Sequence, residues 1–583
     1  MHVSTSGQTS LFAVDFWLSD KQRVRLDKSW AGPFQREVFP ILVEMEPRFA
    51  RFYSADHGAP NKPVATVLGL LILKDMYDLT DEEVAERFDY DLQWQYALDT
   101  PTARAHVCPK TLYNFRQKLL RDRTAQDLLA AVVDRMVDKW NLKTDRHRID
   151  STQILSNMKR LGRVGLFVKT IEQFLRRLVR KDKALADGLP KRFRERYRER
   201  RGYFADVKSS AAPRRLQQSA EDLWYLIDRF RGHKDIANLK AFLTMVRLFN
   251  DQCEVAKTGE GHADEAAVRV TEPPQPPLAT SDTEQQGAEA STNAQAARGD
   301  DESVEPPPAA IALKKPGDIA SDSLQSPSDP DATYSGHKGK GYQAQIVETC
   351  NEDNPFQIID YVEVEGAHES DQNAPARIHQ DLKERGHTPR ETFVDSAYIS
   401  GENIVEAADE GIDLIGPMSG KEPTGKKLSL ATFEFTRDRR EVKRCPAGQA
   451  PVRQEPSKTD GVVNAHFDRT VCDTCSLAAT CPTTPTRKTR RLRFGRTDVA
   501  IAQRREAEQT DAFKETYKIR SGCEATIGHL KNDRGMGNLR VRGSPAVGLA
   551  VTFKVLAENC FRAVRHVLDT ANATAKPLAA MGV

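Results

Sequence analysis

Two aspartates stand where the sequence could place metal ligands on a rigid scaffold. Asp150 lies in RHRIDST and Asp395 in ETFVDSAY, each at or near the end of a run of strand-forming residues. Cutting or joining nucleic acid requires two divalent cations about 4 Å apart, and such hard cations are bound by carboxylates. An aspartate that ends a strand is, by itself, more often a turn or helix-cap residue. A third acidic residue is therefore needed to support a metal site.

Glu524 lies in a stretch whose charged and aromatic residues recur at helical intervals. Four residues there are three, four and seven positions apart: Tyr517, Arg520, Glu524 and Lys531. At about 100° per residue, an α-helix would keep all four within roughly 60° of one face. The spacing predicts a carboxylate flanked by two cations and a phenol. The alternative is a solvated helix face with an ordinary ion pair between Arg520 and Glu524.

The pattern as a whole resembles a known signature. Tyr-x2-Arg-x3-Glu-x6-Lys, followed by Gly535 and by Arg540-x-Arg-Gly543, is similar to the C-terminal signature of the insertion-sequence DDE transposases, in the broad group named IS four and IS five. SPSDPDATY at 326–334 and an insert with four cysteines look like the IS eleven-eighty-two branch. The resemblance covers roughly residues 35–255 and 325–568.

This resemblance implies a fold and an order for the acidic residues. Such transposases have an RNase H-like core with the first Asp on the first strand, the second on the fourth, and the Glu on a later helix. Asp150, Asp395 and Glu524 occur in that order, with the strand-like runs GYQAQIVET and FQIIDYVEVE between the two aspartates. One departure is a long acidic segment between the first two core strands.

The resemblance also implies an activity and its cofactors. Asp150, Asp395 and Glu524 would hold two Mg²⁺ (or Mn²⁺) ions for DNA strand cleavage and strand transfer. Arg520 and Lys531 would neutralise phosphate charge, with Tyr517 packing or hydrogen bonding against the backbone. The expected partners are double-stranded DNA, as terminal inverted repeats and as target, and further copies of the chain assembled on it. Two alternatives remain: a related nuclease without joining activity, and an inactive or domesticated copy that only binds DNA.

Four cysteines near the C-terminal third form a second candidate site. Cys445, Cys472, Cys475 and Cys481 give the spacing C-x26-C-x2-C-x5-C. Four thiolates could close a tetrahedral structural zinc site, whereas a catalytic zinc would need an open position. Reduced cysteines in an unligated insert are the alternative, and an iron-sulfur cluster is a third.

Two basic segments are candidate DNA contacts. RKTRRLRFGRTDVAIAQRR at 487–505 has eight basic residues and one acidic residue, interleaved with apolar positions, and could follow a phosphate backbone. The residues expected to bind DNA here are Arg487, Lys488, Arg490, Arg491 and Arg493.

In KTLYNFRQKLL the apolar stripe of Leu112, Phe115 and Leu119 leaves polar residues on the other helix face, as a recognition helix would. These are Lys110, Tyr113, Asn114, Arg116 and Gln117. The alternative is an ordinary solvated polar face.

The elements that must position these residues follow from periodicity. Residues 64–142 and 156–252 predict helices, with a capping box at Thr80-Asp-Glu-Glu83 and a strand at 146–154 between the two helical regions. Downstream, GYQAQIVET, FQIIDYVEVE, ETFVDSAY and IDLIGP predict strands with intervening helices, an α/β pattern. From residue 497 onward the sequence is helical again, apart from a Gly-rich turn at 535–545.

A long polar segment divides the chain. Residues 258–330 contain no Phe, Tyr or Trp and hold 14 acidic against 4 basic residues, so we expect a disordered linker. The expected segments are an N-terminal segment (1–34), an all-helical N-terminal domain (35–142), the first core strand with a helical region (143–255), the linker (256–330), the RNase H-like core (331–416), a Cys-rich insert (417–490), the C-terminal part of the core with the Glu helix (491–568) and a tail (569–583).

Composition sets the broad class. The 583 residues exceed what one compact core accommodates, and 86 basic against 83 acidic side chains leave a net charge of +3, so local charge matters more than the sum. No secretion signal or membrane-spanning run is apparent. We therefore expect a cytoplasmic, nucleoid-associated bacterial protein whose cysteines stay reduced or bind metal.

Overall fold

The computed structural model describes residues 18–54, 61–122, 125–197, 209–255, 311–420, 427–459 and 461–580. The chain forms two compact units. We call them the core unit (Met1–Asn157, Tyr342–Glu365 and Glu369–Val583) and the helical unit (Met158–Gly341 and Gly366–His368). Within the described ranges, no helix combines the length and apolar character needed to cross a membrane.

The α-helices of the described residues are distributed over both units. In the core unit they are α1 Asp20–Asp27, α2 Ala31–Pro33, α3 Phe39–Met45, α4 Val64–Met76, α5 Asp81–Tyr90, α6 Leu92–Ala97, α7 Pro109–Asp122 and α8 Ala125–Trp140. The helical unit contains α9 Arg163–Lys181, α10 Lys183–Asp187, α11 Lys191–Tyr197, α12 Ala212–Phe230, α13 Lys234–Ala237 and α14 Lys240–Gln252. The core unit continues with α15 Ala374–Glu384, α16 Gly401–Asp409, α17 Arg469–Asp473, α18 Arg496–Glu508, α19 Asp511–Tyr517, α20 Gly522–Asn532 and α21 Ser544–Ala580.

The strands of the described residues form one central mixed sheet and three smaller ones. They are β1 Arg146–Ile154, β2 Cys253–Val255, β3 Ile311–Leu313, β4 Thr333–Ser335, β5 Gly339–Thr349, β6 Ile359–Gly366, β7 Glu391–Phe393, β8 Asp413–Ile415, β9 Glu434–Phe435, β10 Val442–Arg444, β11 Arg453–Pro456, β12 Val462–Asp468, β13 Thr484–Pro485 and β14 Thr489–Gly495. In the central sheet β1 pairs antiparallel with β5 and parallel with β7, which pairs parallel with β8. β5 also pairs with β6 and, at its first residues, with β4.

The strand predictions around the two aspartates agree with this sheet. The strand predicted at 146–154 is β1, the predicted run GYQAQIVET lies within β5, and the run FQIIDYVEVE contains all of β6 except its last residue. In β1 the side chains alternate between more and less buried on each side of Asp150 and Ser151, two partly buried residues at which the alternation changes phase. The strand predicted in ETFVDSAY ends earlier than expected, at Phe393, so Asp395 lies in the turn that follows β7. The mixed α/β class and the helical N-terminal region are confirmed.

The N-terminal helices pack against the end of the chain. α4 is buried on nearly every side, and α21 packs along it. The predicted capping box is present, since Thr80 accepts a hydrogen bond from the Glu83 backbone N–H and the Glu83 carboxylate accepts one from that of Thr80. Residues 35–142 thus belong to the same compact unit as the central sheet, which differs from the separate domain expected from sequence.

The helical unit has its own core, and part of the predicted linker belongs to it. Ile311–Leu313 pairs antiparallel with Cys253–Val255, and Leu324 is fully buried among apolar side chains of α9, α12 and α14. The linker predicted for 256–330 was therefore wrong over 311–330. Although this segment is polar overall, it contains two apolar anchors, Ile311 and Leu324, that pack into the core of the helical unit. Residues 256–310 lie outside the described residues.

A four-stranded antiparallel sheet, in the order β11-β12-β14-β13, occupies the Cys-rich insert and the basic segment. Ala465, Phe467, Leu492 and Phe494 are buried on one face. The predicted strand VVNAHF is part of β12, and the chain reversal it required is present. Because the side chains of β14 alternate, its apolar positions face this core while Arg491 and Arg493 are exposed.

The packing of Leu324 generates a stability prediction. Leu324→Ala should destabilise the helical unit by about 2–5 kcal/mol, because the lost side chain leaves a cavity in a closed core. Thermal unfolding, with limited proteolysis sampling the helical unit, measures the effect. Ala312→Ser, at an exposed position of the same segment, is the control and should change little. Equal behaviour of the two variants would mean that residues 311–330 do not contribute to this core.

Candidate functional site: three carboxylates around one arginine

The three acidic residues identified from sequence come together in the core unit around Arg520. A guanidinium nitrogen of Arg520 lies 2.9 Å from an Asp150 carboxylate oxygen and 3.8 Å from one of Asp395. Its other terminal nitrogen lies 3.6 Å from a Glu524 oxygen. Residues separated by up to 374 positions thus share one cation, so the predicted convergence of the triad is present in the structure.

Each aspartate is held by its own local backbone. Asp150 is on β1, the central strand between β5 and β7, and its Oδ1 accepts a hydrogen bond from the Ser151 N–H at 2.9 Å. Asp395 follows β7, and its Oδ1 accepts from the Ala397 N–H at 2.8 Å, an Asx turn. Because β1 and β7 are neighbouring parallel strands, the second aspartate lies near the same sheet edge as the first.

Glu524 is positioned differently from the prediction. The four signature residues were expected on one continuous helix, but α19 ends at Tyr517, a 3₁₀ turn spans Lys518–Ser521, and α20 begins at Gly522. Side-chain hydrogen bonds add to the 3₁₀ backbone pattern there. The Ile519 carbonyl accepts a hydrogen bond from Arg148 at 2.9 Å, and the Lys518 carbonyl accepts one from the Ser521 hydroxyl at 2.8 Å. This tighter turn directs Arg520 between the carboxylates.

The remaining signature residues border the same site. The Tyr517 hydroxyl donates a hydrogen bond to the Val394 carbonyl at 3.1 Å, next to Asp395. Burial lowers the pKa of Lys531, and the negative charge of Asp150 opposes that shift, which places the Lys531 ammonium within electrostatic reach of Asp150. Tyr517 thus fastens α19 to the turn after β7, and Lys531 lies on the other side of Glu524 along α20.

Burial governs the electrostatics of Asp150. Desolvation raises its pKa, the Arg520 charge opposes that shift, and the negative charges of Asp395 and Asp371 add to it. Burial likewise raises the pKa of Tyr398 well above its ordinary value, with Asp371 contributing. The site is therefore a partly desolvated cluster of carboxylates, which a cation stabilises.

Sequence reasoning missed Asp371 and the polar residues beneath the site. The Tyr398 hydroxyl donates to Gln345 Oε1 at 2.5 Å, and Gln345 Nε2 donates to Asp371 Oδ1 at 2.9 Å. Gln345 pairs with Ser151 in the sheet register, directly beside Asp150. The only signal in the sequence was the pair of glutamines, Gln343 and Gln345, inside an otherwise apolar strand. A buried glutamine requires hydrogen-bond partners and so marks a polar site.

The residues of the site suit hard cations in chemistry and in location. Asp150, Asp395 and Glu524 all contact the same guanidinium, so they face a common volume. Among the described residues, however, no group of three or more His, Cys, Asp or Glu is arranged to hold a metal ion. Arg520 stands between the carboxylates, so binding a cation there requires its guanidinium to shift.

The four cysteines line one cavity of about 310 Å³ in the insert. Burial and the neighbouring thiols of Cys445 and Cys481 raise the pKa of Cys472. The Leu477 N–H points to Cys475 Sγ at 3.4 Å. The sequence-predicted cluster therefore converges, although the sulfurs do not form a ready metal cage in the described part of the chain.

The predicted DNA contacts of the insert divide into exposed and engaged residues. Arg487, Lys488, Arg491 and Arg493 are exposed. Arg490 differs from the expectation because it lines the cysteine cavity and lies 3.5 Å from an Asp473 carboxylate oxygen.

The predicted DNA contacts of the N-terminal helix α7 also divide into exposed and engaged residues. Lys110, Tyr113 and Asn114 are exposed on α7. Arg116 is instead engaged in two hydrogen bonds with Asp81 at the start of α5, and Gln117 lines a cavity beside it. In this structure a partly buried carboxylate across the helix pair therefore holds the Arg116 guanidinium, and a contact of Arg116 with DNA stays a prediction.

Two family models match this chain. Residues 444–564 match the model described as Transposase DDE domain, and residues 29–118 match Transposase domain (DUF772). Both models describe transposase domains. The first match includes Glu524 with its signature and the four cysteines of the insert, and the second runs from just before α2 into α7. No curated protein and no solved structure matches the chain.

Together the matches show similarity to transposases over these two segments; DDE transposase domains act on DNA and generally use divalent metal ions. They do not distinguish the IS eleven-eighty-two branch. Asp150 and Asp395 lie outside both matched ranges, so their place in the site rests on the geometry around Arg520.

The raised pKa of Asp150 predicts a pH-dependent stability change. A carboxyl whose folded-state pKa lies above the ordinary 3.8 loses stability as the pH rises from below 3.8 through the folded-state pKa, and the loss persists at neutral pH. Asp150→Asn cannot ionise, so it should unfold at a higher temperature than the wild type at pH 7, and the difference should shrink as the pH falls towards 4. Thermal unfolding across this range is the measurement, with the exposed Asp318→Asn as control. A difference that grows on acidification would contradict the prediction.

Proposed function

We propose that the chain is a DDE transposase that binds the terminal inverted repeats of its element and catalyses Mg²⁺-dependent DNA cleavage and strand transfer. The single observation that carries the proposal is the convergence of Asp150, Asp395 and Glu524 on Arg520, at the edge of a mixed sheet. Arg520 offsets the mutual repulsion of these carboxylates in this structure, and a bound divalent cation would do the same. The matched transposase models give this cluster its chemical context.

The strand order supports an RNase H-like core. Within the core unit, β1, β5, β6, β7 and β8 follow one another along the chain. The first aspartate is on the first of these strands, the second follows the fourth, and Glu524 is on a later helix. This agrees with the arrangement that the resemblance to DDE transposases implies.

Each residue of the site has a role in this proposal. Asp150, Asp395 and Glu524 would hold the divalent ions, which supply positive charge to the attacking and leaving oxygens of the phosphodiester. Arg520 Nε is buried without a hydrogen-bond partner among the described residues, and the same shift of the guanidinium that cation binding requires would bring it to a phosphate oxygen. Lys531 adds positive charge on the far side of Glu524, and Tyr517 holds the turn after β7 in place.

DNA is proposed to approach over the exposed face of the four-stranded sheet. Arg491 and Arg493 project from β14 opposite its apolar face, and Arg487 and Lys488 precede this strand. β14 leads directly into α18 and then towards the Glu524 helix. A DNA phosphate backbone that contacts these cations would therefore extend from β14 towards the acidic site. Assembly of several copies on the DNA completes the proposal.

A variant of Glu524 separates cleavage from binding. Glu524→Gln should abolish cleavage of a duplex with an element end while leaving DNA affinity nearly unchanged, because the amide keeps the shape but loses the charge that a hard cation needs. Glu515→Gln, also exposed and one helix earlier, is the matched control and should cleave normally. Mg²⁺-dependent cleavage by the Glu524 variant would refute the assignment. A strand-transfer assay distinguishes the transposase from a nuclease that only cuts.

A binding measurement in the same experiment tests the basic strand. Arg491→Ala with Arg493→Ala should weaken binding of every duplex and lower the slope of log affinity against log salt by about 2, since each lost phosphate contact releases roughly one counterion fewer. The control replaces Arg490 and Arg116 with Ala, since these are the predicted DNA contacts that pair with a carboxylate among the described residues. An unchanged salt slope for the β14 variant would exclude this face as the DNA contact.

The cysteine cavity is proposed as a structural zinc site. Cys445, Cys472, Cys475 and Cys481 provide four soft thiolates around one cavity, and a metal that draws them together would stabilise an insert with a small core. Wild-type protein should contain about one zinc per chain. Cys472→Ser with Cys475→Ser should remove it and make residues 440–485 protease-sensitive, whereas Cys108→Ser, at an exposed free cysteine, should change neither. Wild-type protein without zinc or iron, and with unchanged proteolysis after mutation, would exclude the site.

A further inference from the structure

The helix that carries Glu524 is anchored to the strand that carries Asp150 by a buried ion pair. We infer that Arg148, Glu348 and Gly522 form a positioning device that sets Glu524 relative to Asp150. The inference rests on the proposed function, since it concerns the geometry of the proposed metal site. None of these three residues belongs to the sequence signature or contacts the three carboxylates.

The device begins in the central sheet. Arg148 on β1 and Glu348 on β5 are direct partners in the antiparallel register, and Arg148 Nε donates to Glu348 Oε2 at 2.6 Å. Arg148 precedes Asp150 by two residues, so both side chains leave the same face of the sheet. The strand that fixes Asp150 therefore also projects a guanidinium towards the Glu524 helix.

Arg148 then meets the start of that helix. Its Nη1 donates to the Ile519 carbonyl at 2.9 Å, next to Arg520. Gly522 is the first residue of α20, and a Cβ added there would overlap the Arg148 guanidinium. Only glycine allows this close approach, which lies two residues before Glu524. The contact ties the 3₁₀ turn and the first turn of α20 to β1.

Glu348 completes the anchor from the other side. Its side chain is only 1% exposed, and its Oε1 accepts from the Thr526 hydroxyl at 2.6 Å and from Arg562 of α21. Thr526 lies two residues after Glu524 on α20. The helix is therefore held both before and after Glu524 by groups that converge on one carboxylate.

Glu524 depends on this anchor because the anchor fixes the first two turns of α20, where Glu524 lies. Its side chain is 72% exposed, and its ion pair with Arg520 spans 3.6 Å. The position of its carboxylate is thus determined by the backbone of α20. A shift of about 1 Å in that backbone would change the distance between Glu524 and Asp150 enough to lower a catalytic rate by roughly two orders of magnitude.

A matched pair of glycine substitutions tests the device. Gly522→Ala introduces a methyl group against the Arg148 guanidinium, whereas Gly528→Ala, in the same helix, meets nothing within 4 Å. The readouts are Mn²⁺ binding measured by electron paramagnetic resonance, hydrogen exchange over residues 519–531, DNA affinity, and cleavage rate against metal concentration. Gly522→Ala should weaken Mn²⁺ binding and raise the metal concentration for half-maximal cleavage by about tenfold or more, with DNA affinity unchanged. Gly528→Ala should stay within about twofold of wild type for each readout.

A second variant keeps the test informative if Gly522→Ala perturbs folding. Arg148→Lys retains the charge but lacks the planar fork that reaches both Glu348 and Ile519. It should weaken Mn²⁺ binding by itself, and in combination with Gly522→Ala the losses should be less than additive, because the guanidinium that the methyl group overlaps is gone. Strictly additive losses, or a Gly522 variant that matches the Gly528 variant, would overturn the inference.

These outcomes are distinguishable from failure of the proposed function. A wild-type protein that binds Mn²⁺ but does not cleave DNA would refute the transposase proposal, while the metal-binding and exchange readouts would still decide the positioning role. A wild-type protein that cleaves DNA, with a Gly522 variant indistinguishable from wild type, would refute the positioning role alone.

Discussion

One guanidinium among three carboxylates is the interaction on which the site depends. Asp150 is partly buried, and desolvation together with two neighbouring acidic groups already raises its pKa. Without a cation, carboxylates at this spacing would repel one another and draw protons. Arg520 supplies that charge, and the opposing carboxylates raise its own pKa although burial lowers it. Arg520 thus keeps the three acidic residues close together, at a position where a divalent ion could replace the guanidinium.

β1 is the structural element that makes this convergence possible. It lies between β5 and β7, and its far end continues into a backbone contact between Leu155 and the turn at 537–539. That turn follows α20, so the helix of Glu524 is tied to β1 both near its start, through Arg148, and after its end. A single strand therefore fixes the position of Asp150 directly and the position of the Glu524 helix through two sets of contacts.

The N-terminal helices are joined to the same region. Lys554 of α21 lies 3.1 Å from carboxylate oxygens of Asp75 and Asp78, and Arg534 donates to the Met76 carbonyl at 2.7 Å. Gly535 has a positive φ of 63°, and a side chain there would overlap Asp78. Gly535 and residues on either side of it thus contact the end of α4 and the residues that follow it. This close contact is the physical reason why a glycine follows the acidic helix at position 535. These contacts also place the polar face of α7 in the unit that contains the acidic site.

What the sequence determined by itself was local: strand β1, the capping box before α5, the apolar stripe of α7 and the approximate strands around the aspartates, because periodicity and capping are set by neighbouring residues. It also identified Asp150, Asp395 and Glu524 as a group, through spacing and resemblance. Only the tertiary structure decided that the signature residues do not share one continuous helix. Arg148, which lies 371 positions before Ile519, donates a hydrogen bond to the Ile519 carbonyl at the point where the helix is interrupted. In the same way a distant Asp81 engages Arg116, two apolar anchors order the end of the polar segment at 311–330, and Gln345 brings Asp371 to the site. Each of these depends on a partner far along the chain, and no local pattern encodes such a partner.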